Sequence, residues 1–227
     1  MKLPILTYTF LNEFNNCPHK AFHRYVLKDI PFEKTEAMEY GNEVHTAMEK
    51  RLSQGKSLSG GKHEMVLNKA HDYCNMLDKL DNINGVDIRI EWFVGMTVAC
   101  TPCAWDATDV WFRGKADVAI VRGNEGWLID WKTGNKREDP FELECQALLL
   151  HAHHPSVVRW SGEYFWFKEN NPYGLRHMID LRNVLVKIRL LHAEIDRCIL
   201  RHDWPKRKNP LCDWCKVKSC ENWTGKK

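Results

Sequence analysis

The sequence predicts a layered α/β (α+β) domain, and three observations lead there. Helical periodicity fills residues 37–80, a period of two replaces it from Ile88 to Lys132, and helical and strand patterns then alternate. In the first stretch, Ala37, Gly41, Val44, His45, Met48 and Leu52 recur at helical spacing, as do Val66, Ala70, Tyr73, Leu77 and Leu80. Between them, Ser53 to Gly61 is rich in Gly and Ser and reads as a flexible connection. Ile88, Ile90, Trp92, Val94 and Met96 alternate as a strand does. Residues 109–121 and 126–132 are two more strand candidates, and Arg122-Gly123-Asn124-Glu125 suits a hairpin loop between them. Glu142 to His153 is helical in pattern and stops before Pro155. Val157 to Phe167 is aromatic and β-branched, hence another strand. Leu181, Val184, Leu185, Ile188, Leu191, Ile195 and Ile199 mark a long last helix.

At 227 residues and 44% apolar content, the chain can bury one sizeable core. A net charge of +3 permits a polyanionic partner without demanding one. The N-terminal residues lack an unbroken apolar run of signal-peptide length, and no stretch approaches a membrane span. The expectation is a cytoplasmic, reducing location with no membrane partner. There, nine Cys argue for thiolate ligands rather than a disulfide framework.

Side chains two apart on a strand share a face, so Asp130 and Lys132 point one way and Trp131 the other. A symmetric hairpin pairs Val121 with Gly126 and sets Asp117 opposite Asp130. Two carboxylates and an amine then share one patch of sheet. Such a patch suits Mg²⁺ or Mn²⁺, which take carboxylates together with phosphate and water. Alone, an Asp-x-Lys tripeptide reads as the solvated face of a hairpin. Here it follows the apolar run Trp127-Leu128-Ile129, and a buried charge needs a partner or a metal.

Gly41-Asn42-Glu43-Val44-His45, Arg113-Gly114-Lys115-Ala116-Asp117, Ile129-Asp130-Trp131-Lys132-Thr133-Gly134 and Gln146 follow one another in order. This series resembles the RecB-like branch of the PD-(D/E)XK nuclease superfamily, which includes small nucleases of CRISPR adaptation. The resemblance implies a restriction-endonuclease-like core, a mixed central sheet flanked by helices. It implies His45, Asp117 and Asp130 as metal ligands with the Trp131 carbonyl, Lys132 as the catalytic lysine, and Gln146 as an aid to substrate or lysine. The implied activity is Mg²⁺- or Mn²⁺-dependent cleavage of DNA, single-stranded or at duplex ends, by an exonuclease in repair or recombination. It could act alone or with protein partners in a recombination or CRISPR-type complex. One position departs from the pattern: the family's Tyr four residues after the Gln is Leu150 here.

Cys212, Cys215 and Cys220 place three thiols in nine residues, a pattern for zinc or an iron–sulfur cluster. The same resemblance implies a 4Fe–4S cluster held by Cys17, which precedes Pro18, with Cys212, Cys215 and Cys220. Residues 1–30 and 205–227 would then form a cluster-binding segment within a single domain spanning 1–227, and residues 37–200 its nuclease core. Zinc in that set, or zinc held by Cys100, Cys103, Cys212 and Cys215, are alternatives. A non-catalytic, zinc-stabilised nucleic-acid-binding module is a second reading. Cys74, Cys145 and Cys198 fall in helical patterns and read as core. Lys136 and Arg137 follow the Asp130 strand closely enough to contact phosphate, although such pairs usually form solvated surface.

Overall fold

The computed structural model describes residues 4–31, 33–57, 63–137 and 139–225. Their elements are α1 (Tyr8–Asn16), α2 (Pro18–Ala21), a π-helical turn at Phe22–Leu27, α3 (Glu36–Gln54), α4 (Glu64–Leu67) and α5 (His71–Asp81). Then come β1 (Val86–Met96), β2 (Pro102–Cys103), β3 (Phe112–Arg122), β4 (Glu125–Lys132), α6 (Phe141–His153), β5 (Arg159–Trp166), β6 (His177–Ile179) and α7 (Leu181–Arg201). Two compact units result, Lys34–Leu181 and a smaller one of Met1–Glu33 with Arg182–Lys227.

In the larger unit, a six-stranded mixed sheet runs in the order β2-β1-β3-β4-β5-β6, with only β4 and β5 parallel. Parallel neighbours need a crossover, and α6 supplies it. The hairpin register matches the sequence expectation, Val121 opposite Gly126, but Arg122 also pairs with Glu125, so the loop is the two residues Gly123-Asn124 rather than the four expected. Alternation decides what each face holds. Ile129, Trp131, Val118, Ile120, Phe165 and Phe167 pack with Val44 and Met48 of α3 and with Tyr73, Cys74 and Leu77 of α5. Tyr73 lies at the centre, with ring centroids 5.4–6.0 Å from Trp127, Trp131, Phe165 and Tyr173. The other face carries α6, which is buried almost throughout. A Cβ on Gly114 would stand 2.7 Å from Leu149 Cδ1, so this glycine lets α6 approach β3 closely.

One expectation changes in the structure. The even-numbered residues of β1 were read as one face, yet Ile88 and Ile90 pack beneath α3 and α5, while Trp92 meets His153 and His154 of α6. The reversal falls at Glu91, whose φ of 50° is left-handed. Such a conformation is unusual for a residue with a side chain and reverses the alternation of a strand. Of the Ser53–Gly61 connection, residues 53 and 54 end α3, Gly55 caps it at a φ of 65°, and 58–61 lie outside the described residues.

In the smaller unit, Thr7 caps α1 by accepting the Phe10 N–H at 3.1 Å. Trp204 is buried against Phe14 and Phe22, at 6.0 and 5.0 Å between centroids. Glu13 is buried and paired with Lys20 at 2.6 Å and Arg24 at 2.9 Å.

Candidate metal centre

The β3–β4 ladder runs to Val118–Ile129 and stops there. Where the ladder ends, the Trp131 N–H donates to Asp117 Oδ2 at 2.9 Å instead of to a backbone carbonyl. Asp117 and Asp130 therefore sit in the mouth of a fork between two strands, and both are buried. A buried carboxylate pair is costly without compensation, and burial together with the Asp130 charge pushes the Asp117 pKa up.

His45 comes in from α3. Its Nε2–H donates to the Trp131 carbonyl at 2.9 Å. Gly41, one helical turn earlier, lets α3 lie close to the end of β4, for a Cβ there would stand 3.2 Å from Thr133 Oγ1. The other ring nitrogen, Nδ1, faces Asp117 Oδ1 at 3.4 Å and Glu91 Oε1 at 3.5 Å. It is buried and has no hydrogen-bond partner. Burial disfavours the imidazolium, but the two carboxylates outweigh it and raise the pKa to about 10.

His45, Glu91 and Asp117 each offer one donor atom, all within 4.8 Å of one another. One imidazole and two carboxylates suit a divalent cation, and the backbone carbonyl on the far ring nitrogen fixes the tautomer such a ligand needs. The buried Nδ1, which has no hydrogen-bond partner and faces both carboxylates, fits that reading. Lys115 pairs with Glu91 and lies 3.7 Å from Asp117 Oδ1.

Asp130 faces the other way along the same patch. Its Oδ1 accepts from Gln146 Nε2 at 2.8 Å, and its Oδ2 lies 2.6 Å from the Lys132 ammonium. Lys132 also donates to Glu142 Oε2 at 2.7 Å. Burial opposes the charge on Lys132, but Asp130 and Glu142 outweigh it and hold the amine protonated. Burial and the Asp130 charge raise the Glu142 pKa to about 7, even with Lys132 beside it.

At this centre the site residues expected from the sequence fall into two groups. His45 and Asp117 converge as one, and Asp130, Lys132 and Gln146 form a second against them. The Trp131 carbonyl, expected as a metal ligand, accepts from His45. Lys136 and Arg137 lie exposed on the β4–α6 loop. Leu150, where the pattern broke, is fully buried. In the smaller unit, Cys17, Cys212, Cys215 and Cys220 line one open pocket together with Lys20 and Arg207. Cys100 lies in the β1–β2 turn of the larger unit and Cys103 ends β2.

Glu91, Lys115 and Glu142 were not singled out by sequence. Glu142 had a readable signal, four residues before Gln146 and so on the same helix face. Glu91 had none, since neither its left-handed backbone nor the β1–β3 register is written locally.

The model of the PD-(D/E)XK nuclease superfamily matches residues 5–220, and the chain belongs to that family. The family is one of metal-dependent nucleases, with DNA the substrate it implies. Among solved structures, the "Putative exonuclease" of Eubacterium rectale superposes with a TM-score of 0.56 at 12% identity, covering 95% of this chain and 93% of that one. That likeness shows the fold alone. The protein SSO0001 gives a TM-score of 0.41 at 13% identity, covering 97% and 87%, and carries no argument. No curated protein matches. The six-stranded mixed sheet flanked by helices is the restriction-endonuclease-like core that the sequence led us to expect. No helix among the described residues is long and apolar enough to cross a membrane.

Proposed function

We propose that the chain is a Mg²⁺- or Mn²⁺-dependent exonuclease of the RecB-like branch, hydrolysing phosphodiester bonds of single-stranded DNA or DNA ends. The observation that carries this reading is the convergence of His45, Glu91 and Asp117 beside the Asp130–Lys132 pair. His45, Asp117 and Asp130 hold the cation, and Glu91 is added to that set by its position. A bound divalent cation lowers the pKa of water and stabilises charge on the attacked phosphate. Lys132 orients the attacking water and offsets the charge that develops on phosphorus oxygens. Glu142 holds the Lys132 ammonium beside Asp130, and Gln146 fixes the Asp130 carboxylate. The Trp131 carbonyl, by accepting from Nε2, aims His45 Nδ1 at the cation. Lys136 and Arg137 contact backbone phosphates from the exposed loop.

We further propose that Cys17, Cys212, Cys215 and Cys220 hold a 4Fe–4S cluster that ties residues 1–30 to 205–227, with residues 37–200 as the nuclease core. Their shared pocket supports this. The setting proposed is cytoplasmic DNA repair or recombination, alone or within a CRISPR-type or recombination complex.

Cleavage of end-labelled DNA with Mg²⁺ or Mn²⁺ tests the centre, comparing wild type with Lys132→Ala and Asp130→Ala. Both variants should lose essentially all activity, and equal activity in the three proteins overturns the assignment. Anaerobic purification tests the cluster: brown protein containing iron supports it, whereas colourless protein with bound zinc replaces it.

A further inference from the structure

Beyond the acidic pocket, the outer half of the β1–β3 pair carries a row of side chains that the reaction chemistry does not use. Lys115 stands directly across from Phe93 in the strand register, with its ammonium 5.9 Å from the Phe93 ring centroid. Phe93 is 56% exposed and meets Trp105 edge to face at 5.1 Å. The Arg113 guanidinium lies 4.5 Å from the Trp105 ring and donates to the Trp105 carbonyl at 3.1 Å. Among the described residues no carboxylate pairs with Arg113. The row therefore reads cation, ring, ring, cation, and it starts at the residue that pairs with Glu91.

A sheet that needed only solubility would carry a polar side chain at position 93. An exposed Phe93 ring, set between Lys115 and a Trp105 that Arg113 covers, has a more specific use. Every base has a π-face, and stacking on an exposed ring is tolerant of sequence, while Lys and Arg follow the phosphates. In a duplex those faces are closed against neighbouring base pairs everywhere but at the ends. Lys115 and Arg113 along this row add positive charge beside the pocket, where a polyanion would approach it.

We propose that Phe93 and Trp105, with Lys115 and Arg113, form the ledge along which a single DNA strand enters the site. A base of the strand would stack on the exposed Phe93 ring, which Trp105 supports edge to face, and its phosphates would meet the two cations. This rests on the nuclease reading above and names single-stranded DNA as the species bound.

The test is fluorescence anisotropy on the full chain, with Ca²⁺ in place of Mg²⁺, using a labelled oligo-dT and a blunt duplex of equal length. Phe93→Ala and Trp105→Ala should raise Kd for the single strand about tenfold, with the duplex Kd moving less than about twofold. Phe93→Tyr should restore single-strand binding. Since Trp105 also supports Arg113, the Phe93 pair decides the matter by itself. An unchanged single-strand Kd in Phe93→Ala, or equal weakening toward both DNAs, overturns the ledge. Hydrolysis of thymidine 5′-(p-nitrophenyl phosphate) by the wild type with Mn²⁺ reports the metal centre alone. Its absence sinks the nuclease reading without touching the binding result.

Discussion

Glu91 stands across from Asp117 between the pairs Ile90–Val118 and Trp92–Ala116, and both carboxylates face the same nitrogen of His45. Neighbouring residues on β1 cannot do this, because the left-handed turn of the backbone at Glu91 is what brings that side chain round. Strain of this kind persists only where the surroundings enforce it, and it gathers at functional sites.

Glu91→Gln keeps size and shape but removes a charge from the donor set. We expect Mn²⁺ affinity, read by isothermal titration calorimetry, to fall about 10- to 100-fold with the melting temperature of chelated protein little changed. Unaltered affinity would remove Glu91 from the centre.

The His45 pKa of about 10 in the cation-free protein makes metal binding compete with a proton. At pH 7 to 8 the imidazole is protonated and must lose its proton to become a ligand. Roughly one proton should appear in solution per cation bound, measured in buffers of differing ionisation enthalpy. Affinity should fall about tenfold for each pH unit of acidification below about 10, which is about 1.4 kcal/mol. In His45→Ala the proton release should vanish. With no cation, the sign is opposite: the stabilisation from protonated His45 is full below the unfolded value of 6.5 and is lost as pH rises through about 10.

Glu142 touches Lys132 but belongs to no metal donor group, so its loss should separate chemistry from metal binding. Glu142→Gln is expected to lower the cleavage rate about 10- to 100-fold through a misplaced lysine, while Mn²⁺ affinity stays within about twofold. A parallel loss of both would show that Glu142 acts on the cation instead.

Cys215→Ser removes one of four thiols from a shared pocket in a unit built from the two chain termini. It should abolish iron content and visible colour and lower the melting temperature, since a bound centre contributes its binding free energy to folding. A variant that retains full iron content would exclude Cys215 as a ligand.

By itself, the sequence determined a good deal of this protein. Strand alternation set Asp130 and Lys132 on one face, and the tight hairpin fixed the register that brings Asp117 to the end of the ladder, because both are short-range consequences of backbone geometry. The order of the Gly41–His45, Asp117, Asp130–Lys132 and Gln146 segments was enough to indicate the family. Tertiary structure alone decided the rest. That Glu91 faces Asp117 depends on a register set across the long β1–β3 connection and on one left-handed residue, neither of which leaves a local trace. That Glu142 holds Lys132 depends on how closely α6 packs on the sheet, which Leu149 and Gly114 govern. The Trp131 carbonyl aims His45 only because α3 approaches β4 closely at Gly41 and Thr133, a contact between segments some ninety residues apart.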